Sequence, residues 1–201
     1  MPKIVDHQQR KENIAEAAWR VIRREGMDGV SVRRIAQEMG ISLGSLRHYF
    51  DNQSELLAFS MRLASQRVHA RIRNLPFSGD IRHDIEQVIA QLLPLDEERR
   101  SEAEIWLAFA GKAISDSEIR IMSQDIHDEL RAGFRLIIDQ LTASKLTPSA
   151  IDAEYEAGRL HALVDGLVVH HTVYPDRVNK SDMISIVSRH LDSLLAASPR
   201  Q

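Results

Sequence analysis

The side chains with the clearest chemical possibilities lie between Ser31 and Phe50, in the segment SVRRIAQEMGISLGSLRHYF. Arg47 can pair through its planar guanidinium with guanine O6 and N7, the commonest specific contact to a base edge. Ser45 is short enough to touch a base or a phosphate. Gly44 lets a backbone approach a partner closely. His48 and Tyr49 can donate to phosphates or pack on sugars, although Tyr49 can equally close a small core. Arg33 and Arg34 can reach a phosphate backbone or a groove edge, although Arg34 can equally be a solvated charge. Ser31, Ser42, Leu43 and Gln53 complete the set expected to line a nucleic acid. The backbone N–H groups near Gln53 open a helix, and helix N-termini favour anions.

Other chemistries find less support. The chain lacks cysteine, which excludes a disulfide framework and thiolate zinc sites. It carries no Gly-rich phosphate loop, no GxSxG and no HExxH, so no catalytic activity and no cofactor are expected. His161 and Asp165 stand four apart, with His170 and His171 nearby. That spacing suits two metal ligands, but it more often marks a hydrogen bond or an interface contact; no metal site is expected.

The elements that position these groups read as helices almost throughout. Ile14, Ala17, Ala18, Val21 and Ile22 form an apolar stripe at helical spacing, closed by Gly26. Ser31 is a candidate N-cap for a short helix that buries Val32, Ile35, Ala36 and Met39. Gly40 ends it, and Ser42 caps a third helix carrying Leu46, Tyr49 and Phe50. Two short helices around a glycine turn form a helix-turn-helix, whose second helix presents its N-terminal polar residues to the major groove. Asn52 and Glu55 predict a capping box for a fourth helix, to about Asn74. Further helices are expected over about 80–93, 96–114, 115–141 (a Ser115/Glu118 capping box), 147–173 (Thr147 and Pro148 as N-cap and N1) and 181–197 (Ser181 as N-cap). The expected fold is all-α with about nine helices: a three-helix DNA-binding domain over 1–52, then a helical ligand-binding and dimerisation domain over 53–201.

Charge follows the same division. Residues 1–75 hold 13 Lys and Arg against 8 Asp and Glu, a net +5, and the remainder is net −8. A positive head on a negative body orients a protein on a polyanion. The N-terminus lacks an apolar signal core, and no run approaches the ~20 apolar residues of a membrane span; a cytoplasmic protein is expected.

The ungapped pattern Ile14, Ala17, Ala18, Gly26, Ser31, Ile35, Ala36, Gly40, Ile41, Ser42, Gly44, Ser45, Leu46, His48, Tyr49, Phe50 and Leu56 resembles the N-terminal domain of the TetR family of transcriptional regulators. SLRHYF, followed by Ser54 and Leu57, is most similar to the BetI-like type, and LLPLDEERRSEAEIWLAFAGKA and LHALVDGLVVH share that flavour. Two positions depart: many members carry an aromatic residue where Arg47 stands and lysine where Gln53 stands. The resemblance implies a homodimer that binds operator DNA and is released by a small-molecule effector, with repression as the family default. It implies a pocket in the body, for which Trp106, Phe109, Phe134, Tyr155 and His161 are the candidates. It also implies an interface from the last two helices. Ile184, Val187, Leu191 and Leu194 repeat as a packing seam would. Leu160, Leu163, Val164, Leu167 and Val168 make the preceding helix apolar nearly all round, which suits either a subunit contact or a central core helix. Ala162 and Gly166 permit close helix approach. Leu163, Gly166, Leu167 and His170, with the seam, are the expected interface.

Overall fold

A computed structural model describes residues 7–195, and nine α-helices account for most of them. They are α1 (His7–Glu25), α2 (Val32–Glu38), α3 (Leu43–Arg47), α4 (Gln53–Arg73), α5 (Ile81–Ala90), α6 (Glu97–Ala113), α7 (Ser117–Ala143), α8 (Ala153–Val173) and α9 (Lys180–Leu194), with a 3-10 turn at Met27–Gly29. No strand occurs among the described residues.

The chain forms two compact units: the segment up to Arg67 with Glu104–Gln124, and Val68–Ala103 with the segment from Asp125 onward. The first unit therefore takes in most of α4, the second half of α6 and the start of α7. Its core is the predicted α1 stripe, Ile14, Ala17, Ala18, Val21 and Ile22, closed by Ile35, Ala36, Leu46, Phe50 and Leu56. The Trp19 indole N–H donates to the Ser60 carbonyl at 3.3 Å, tying α1 to α4. In the second unit α9 packs on α5 and α8. That core holds Ile85, Ile89, Ile138, Leu141, Leu160, Val164, Met183, Val187 and Leu191.

The early caps form where the sequence places them. Ser31 and Ser42 accept from the backbone N–H three residues on, and Asn52 does the same for Glu55 at 2.8 Å. The reciprocal arm differs: the Glu55 carboxylate takes the N–H of Asp51, not of Asn52.

Three later caps differ from expectation. α7 opens on Asp116, whose carboxylate accepts from both Glu118 and Ile119 N–H groups; an ionised acceptor at a helix N-terminus outcompetes the Ser115 hydroxyl. α9 opens on Asn179, because Asp182 three residues later returns the bond and completes a capping box. Three residues after Ser181 stands Ile184, which has nothing to return. α8 begins at Ala153, capped by Asp152, rather than at Thr147. Thr147 is buried beside the end of α7, where its hydroxyl meets that of Thr142 at 3.3 Å, so it is not free to cap. The predicted end of α9 near Ala197 lies outside the described residues.

Candidate nucleic-acid interface

In the first unit, α2 and α3 meet through a tight turn. Gly40 takes φ 64°, the left-handed conformation that costs glycine little, and the Ile41 N–H reaches back to the Ala36 carbonyl at 3.0 Å. α3 is five residues long, too short to hold itself together by its own hydrogen bonds. Its stability comes from Leu46, which is fully buried and contributes on the order of 1.5–3 kcal/mol. The Ser42 cap assists: its oxygen accepts from Ser45 N–H at 3.0 Å and lies 2.9 Å from the Ser45 hydroxyl. Phe50 anchors the exit, edge-on to Phe59 at 5.4 Å, with the Lys11 ammonium 5.0 Å above its ring.

With Leu46 and Phe50 turned inward, Gly44, Ser45, Arg47 and His48 are exposed and Leu43 is half-buried. Neither Arg47 nor Arg33, also exposed, pairs with a carboxylate among the described residues. A Cβ at Gly44 would meet only the Ser42 hydroxyl, at 3.8 Å; the fold itself tolerates a side chain there. Tyr49 is half-buried, its ring 4.8 Å from His7 and 5.4 Å from His48.

Arg34 behaves differently. Its guanidinium bonds Glu25 at 2.6 and 3.1 Å. Arg34 first and Arg24 second hold the Glu25 carboxyl down to about 2. Glu38, one turn beyond Arg34, takes Arg24 at 2.8 Å and Arg20 at 3.3 Å. Arg34 is thus engaged within the protein, braced between α1 and α2. The i,i+4 spacing of Arg34 and Glu38 was a readable hint of this; the approach of Glu25 and of His7 was not. Gln53 is half-buried at the first turn of α4, where the N–H groups of Gln53 and Ser54 find no acceptor among the described residues.

The five pocket candidates divide. Trp106 (half-buried) and Phe109 (buried) lie on α6 in the first unit; Phe134, Tyr155 and His161 lie in the second. Among the described residues the Phe134 ring stacks on that of His161 at 4.8 Å, and the His127 ring lies 5.1 Å from the same imidazole. Tyr155 is 63% exposed, with Arg159 over its ring. His161 Nε2 is buried without a hydrogen-bond partner and stands 3.4 Å from Asp165. No group of three potential ligands among the described residues gathers around a common metal position.

Burial, aided by His127 and Arg131, pushes His161 below its ordinary value, and burial raises Asp165 to about 6. A carboxyl whose folded value is raised favours the folded state at low pH and loses that contribution as pH climbs through 6. Asp165→Asn should therefore stabilise the protein at pH 8, on the order of 1 kcal/mol given the partial exposure of the carboxylate. Below pH 4 the gain should vanish. Thermal melts of both proteins across that range check it, and a difference that does not change with pH would refute it.

The interface candidates also divide. Val187, Leu191 and Leu194 are buried in the core of the single chain, and Leu167 is 5% exposed. They pack α9 on α5 and α8, so the heptad-like repeat was the signature of an internal face. Leu163 and Gly166 are half-buried, and His170 and Ile184 are exposed. Val173, Tyr174 and Ile186 are further large apolar or aromatic residues left exposed.

The described residues contain no helix long and apolar enough to cross a membrane. Residues 14–58 match the family model described as bacterial regulatory proteins, tetR family, and residues 81–196 match the C-terminal model of BetI-type transcriptional repressors. The chain is 40% identical to the HTH-type transcriptional regulator PksA of Bacillus subtilis, over 100% of this chain and 97% of that one. A transcriptional regulator from Rhodococcus sp. Rha1 superposes with a TM-score of 0.78 at 28% identity, covering 92% of this chain and 95% of that one. A regulator from Saccharomonospora viridis, solved in complex with choline, shares the fold with a TM-score of 0.72 at 24% identity, covering 92% and 95%.

Proposed function

The chain belongs to the TetR family of bacterial helix-turn-helix transcriptional regulators, and on that footing we propose that it is a cytoplasmic homodimeric repressor released from its operator by a small molecule. The observation that carries this reading is α3: capped by Ser42, pinned by Leu46, and presenting Arg47 with no carboxylate against it among the described residues. An arginine kept out of ion pairs retains its full fork for a base edge.

The remaining roles follow from placement. Ser45 and His48 flank Arg47. Gly44 has room for a side chain within the protein, so the constraint we assign to it is the approach of a DNA backbone. Arg33 reaches phosphate; Arg34 braces α2 through Glu25. Gln53 and the free N–H groups of the α4 first turn hold a phosphate without adding charge, which lowers the salt-dependent part of binding relative to a lysine. Tyr49, with the His7 and His48 rings against it, steadies the end of α3 against the start of α1. In the body, Phe134, His161 and Asp165 are the residues we assign to the effector. An effector acts only if it binds the DNA-free arrangement better than the DNA-bound one.

Dimerisation supplies two heads, which read half-sites about one helical turn (~34–36 Å) or a multiple apart. We place that contact on the open face of α8, at Leu163, Gly166, His170 and Val173, together with Ile184 of α9. The test is selection of duplexes from a fragment library of the source genome at low salt. Enrichment of a two-fold symmetric site, whose complex dissociates on adding a small molecule, supports the reading. Failure to enrich any fragment overturns it.

A further inference from the structure

Two polar groups of the second unit stand together without a donor to share. The His161 side chain is 7% exposed, and its Nε2 has no hydrogen-bond partner. Asp165 Oδ2 lies 3.4 Å away, and no hydrogen bond reaches that carboxylate among the described residues. The two residues are one turn apart on α8, so the helix holds them on one face. The buried Phe134 ring stacks on the imidazole and fixes its plane. The Asp165 side chain is 33% exposed, so the pair can be reached from its side.

Both groups are acceptors at neutral pH. Burial first, then His127 and Arg131, hold His161 below its ordinary value, which keeps the imidazole neutral. A neutral imidazole has one lone pair, and a donor arriving at Nε2 selects the tautomer that carries it there. Asp165, raised to about 6 by burial, is ionised above that pH. A half-buried carboxylate without a cation is costly. Arg131, whose charge is felt at His161, is taken by Glu154. A metal ion would find these two ligands and no third among the described residues. What the pair lacks is a cation with more than one hydrogen to donate.

We propose that the effector presents a protonated primary or secondary amine, which donates one N–H to Asp165 and another to His161 Nε2. The inference rests on the assignment of Phe134, His161 and Asp165 to the effector. Two bonds of ordinary length from one tetrahedral nitrogen span ~4.7 Å between their acceptors. Asp165 therefore swings outward by about 1 Å as the amine enters, and its exposed side leaves room to do so. A quaternary ammonium has no N–H to give and leaves Nε2 unpaired, which a buried nitrogen does not tolerate cheaply.

The test uses the full-length protein without DNA and a matched pair of probes, 2-phenylethylamine and its N,N,N-trimethyl derivative. Affinity is measured by calorimetry, and the His161 ring nitrogens are followed by NMR. At pH 7.5 the primary amine should bind at least tenfold tighter than the trimethyl derivative and shift the Nε2 resonance. An alkylammonium stays protonated at pH 5 as well, but there Asp165 is largely neutral, so the amine should lose roughly tenfold in affinity. Asp165→Asn should lose at least tenfold at pH 7.5. Should that variant fail to fold, the ratio between the two probes on the parent decides. Equal affinity for the two probes, or no binding of the amine, overturns the proposal. A protein that ignores the amine yet leaves its selected duplex on adding another small molecule keeps the regulator reading and loses this one. A protein that binds the amine and selects no duplex keeps the amine site and loses the regulator reading.

Discussion

Replacing Arg47 by alanine should abolish discrimination between operator and random duplex while leaving the fold and the dimer intact. The side chain is exposed and contributes nothing to the core of the first unit; Leu46 and Phe50, buried on either side of it in sequence, hold α3 in place. Alanine is also the best helix former, so the short helix is not weakened. A bidentate arginine–guanine contact discriminates by about 1–3 kcal/mol, and a symmetric dimer makes it twice. The expected loss is roughly 30-fold to 10⁴-fold in specific affinity, with only a modest drop in non-specific binding. Competitive titration against a scrambled duplex measures it. A variant that binds its site as tightly as the parent refutes the assignment.

Gly166→Arg should yield a folded monomer with little operator affinity. Beyond the backbone of its own helix, a Cβ at Gly166 would meet no heavy atom within 4 Å, so a side chain can leave the helix there without a clash at its first atom. Removing a mid-helix glycine also favours α8 by on the order of 0.5–1 kcal/mol. The bulk and charge would fall where a partner helix must approach. Losing the second head should weaken operator binding by roughly 10²–10⁴-fold. Sedimentation and circular dichroism check the two halves of the claim, and an unchanged dimer mass would place the interface elsewhere. Leu191→Glu is a poor probe by contrast: Leu191 is buried in the chain's own core, and the substitution would unfold the second unit.

The head was legible in the sequence because its signals are local. Ser31 and Ser42 declare helix starts within three residues, Gly40 declares a left-handed turn, and the 3.6-residue stripe from Ile14 to Ile22 declares a buried face. The body was less legible. A repeat such as Val187, Leu191 and Leu194 reports that a face is covered but not by what, since a neighbouring helix and a second subunit want the same residues. The caps at Asp116, Asp152 and Asn179 were misplaced because several polar residues competed within a few positions, and charge or a reciprocal partner decided among them. The bracing of Arg34 by Glu25 and the pairing of Arg71 with Glu102 involve partners 9 and 31 residues away, a separation at which no sequence pattern operates. Those pairs sort the arginines into structural and free ones, and only the free ones remain candidates for DNA.

The most direct test is backbone amide chemical-shift mapping of the full-length protein titrated with its selected duplex. The account predicts that the largest changes fall on Ser42–Tyr49 and on the first turn of α4 at Gln53 and Ser54, with the Arg47 guanidinium resonance shifted and sharpened. Changes confined to other surfaces, with α3 unmoved at saturating duplex, would contradict it.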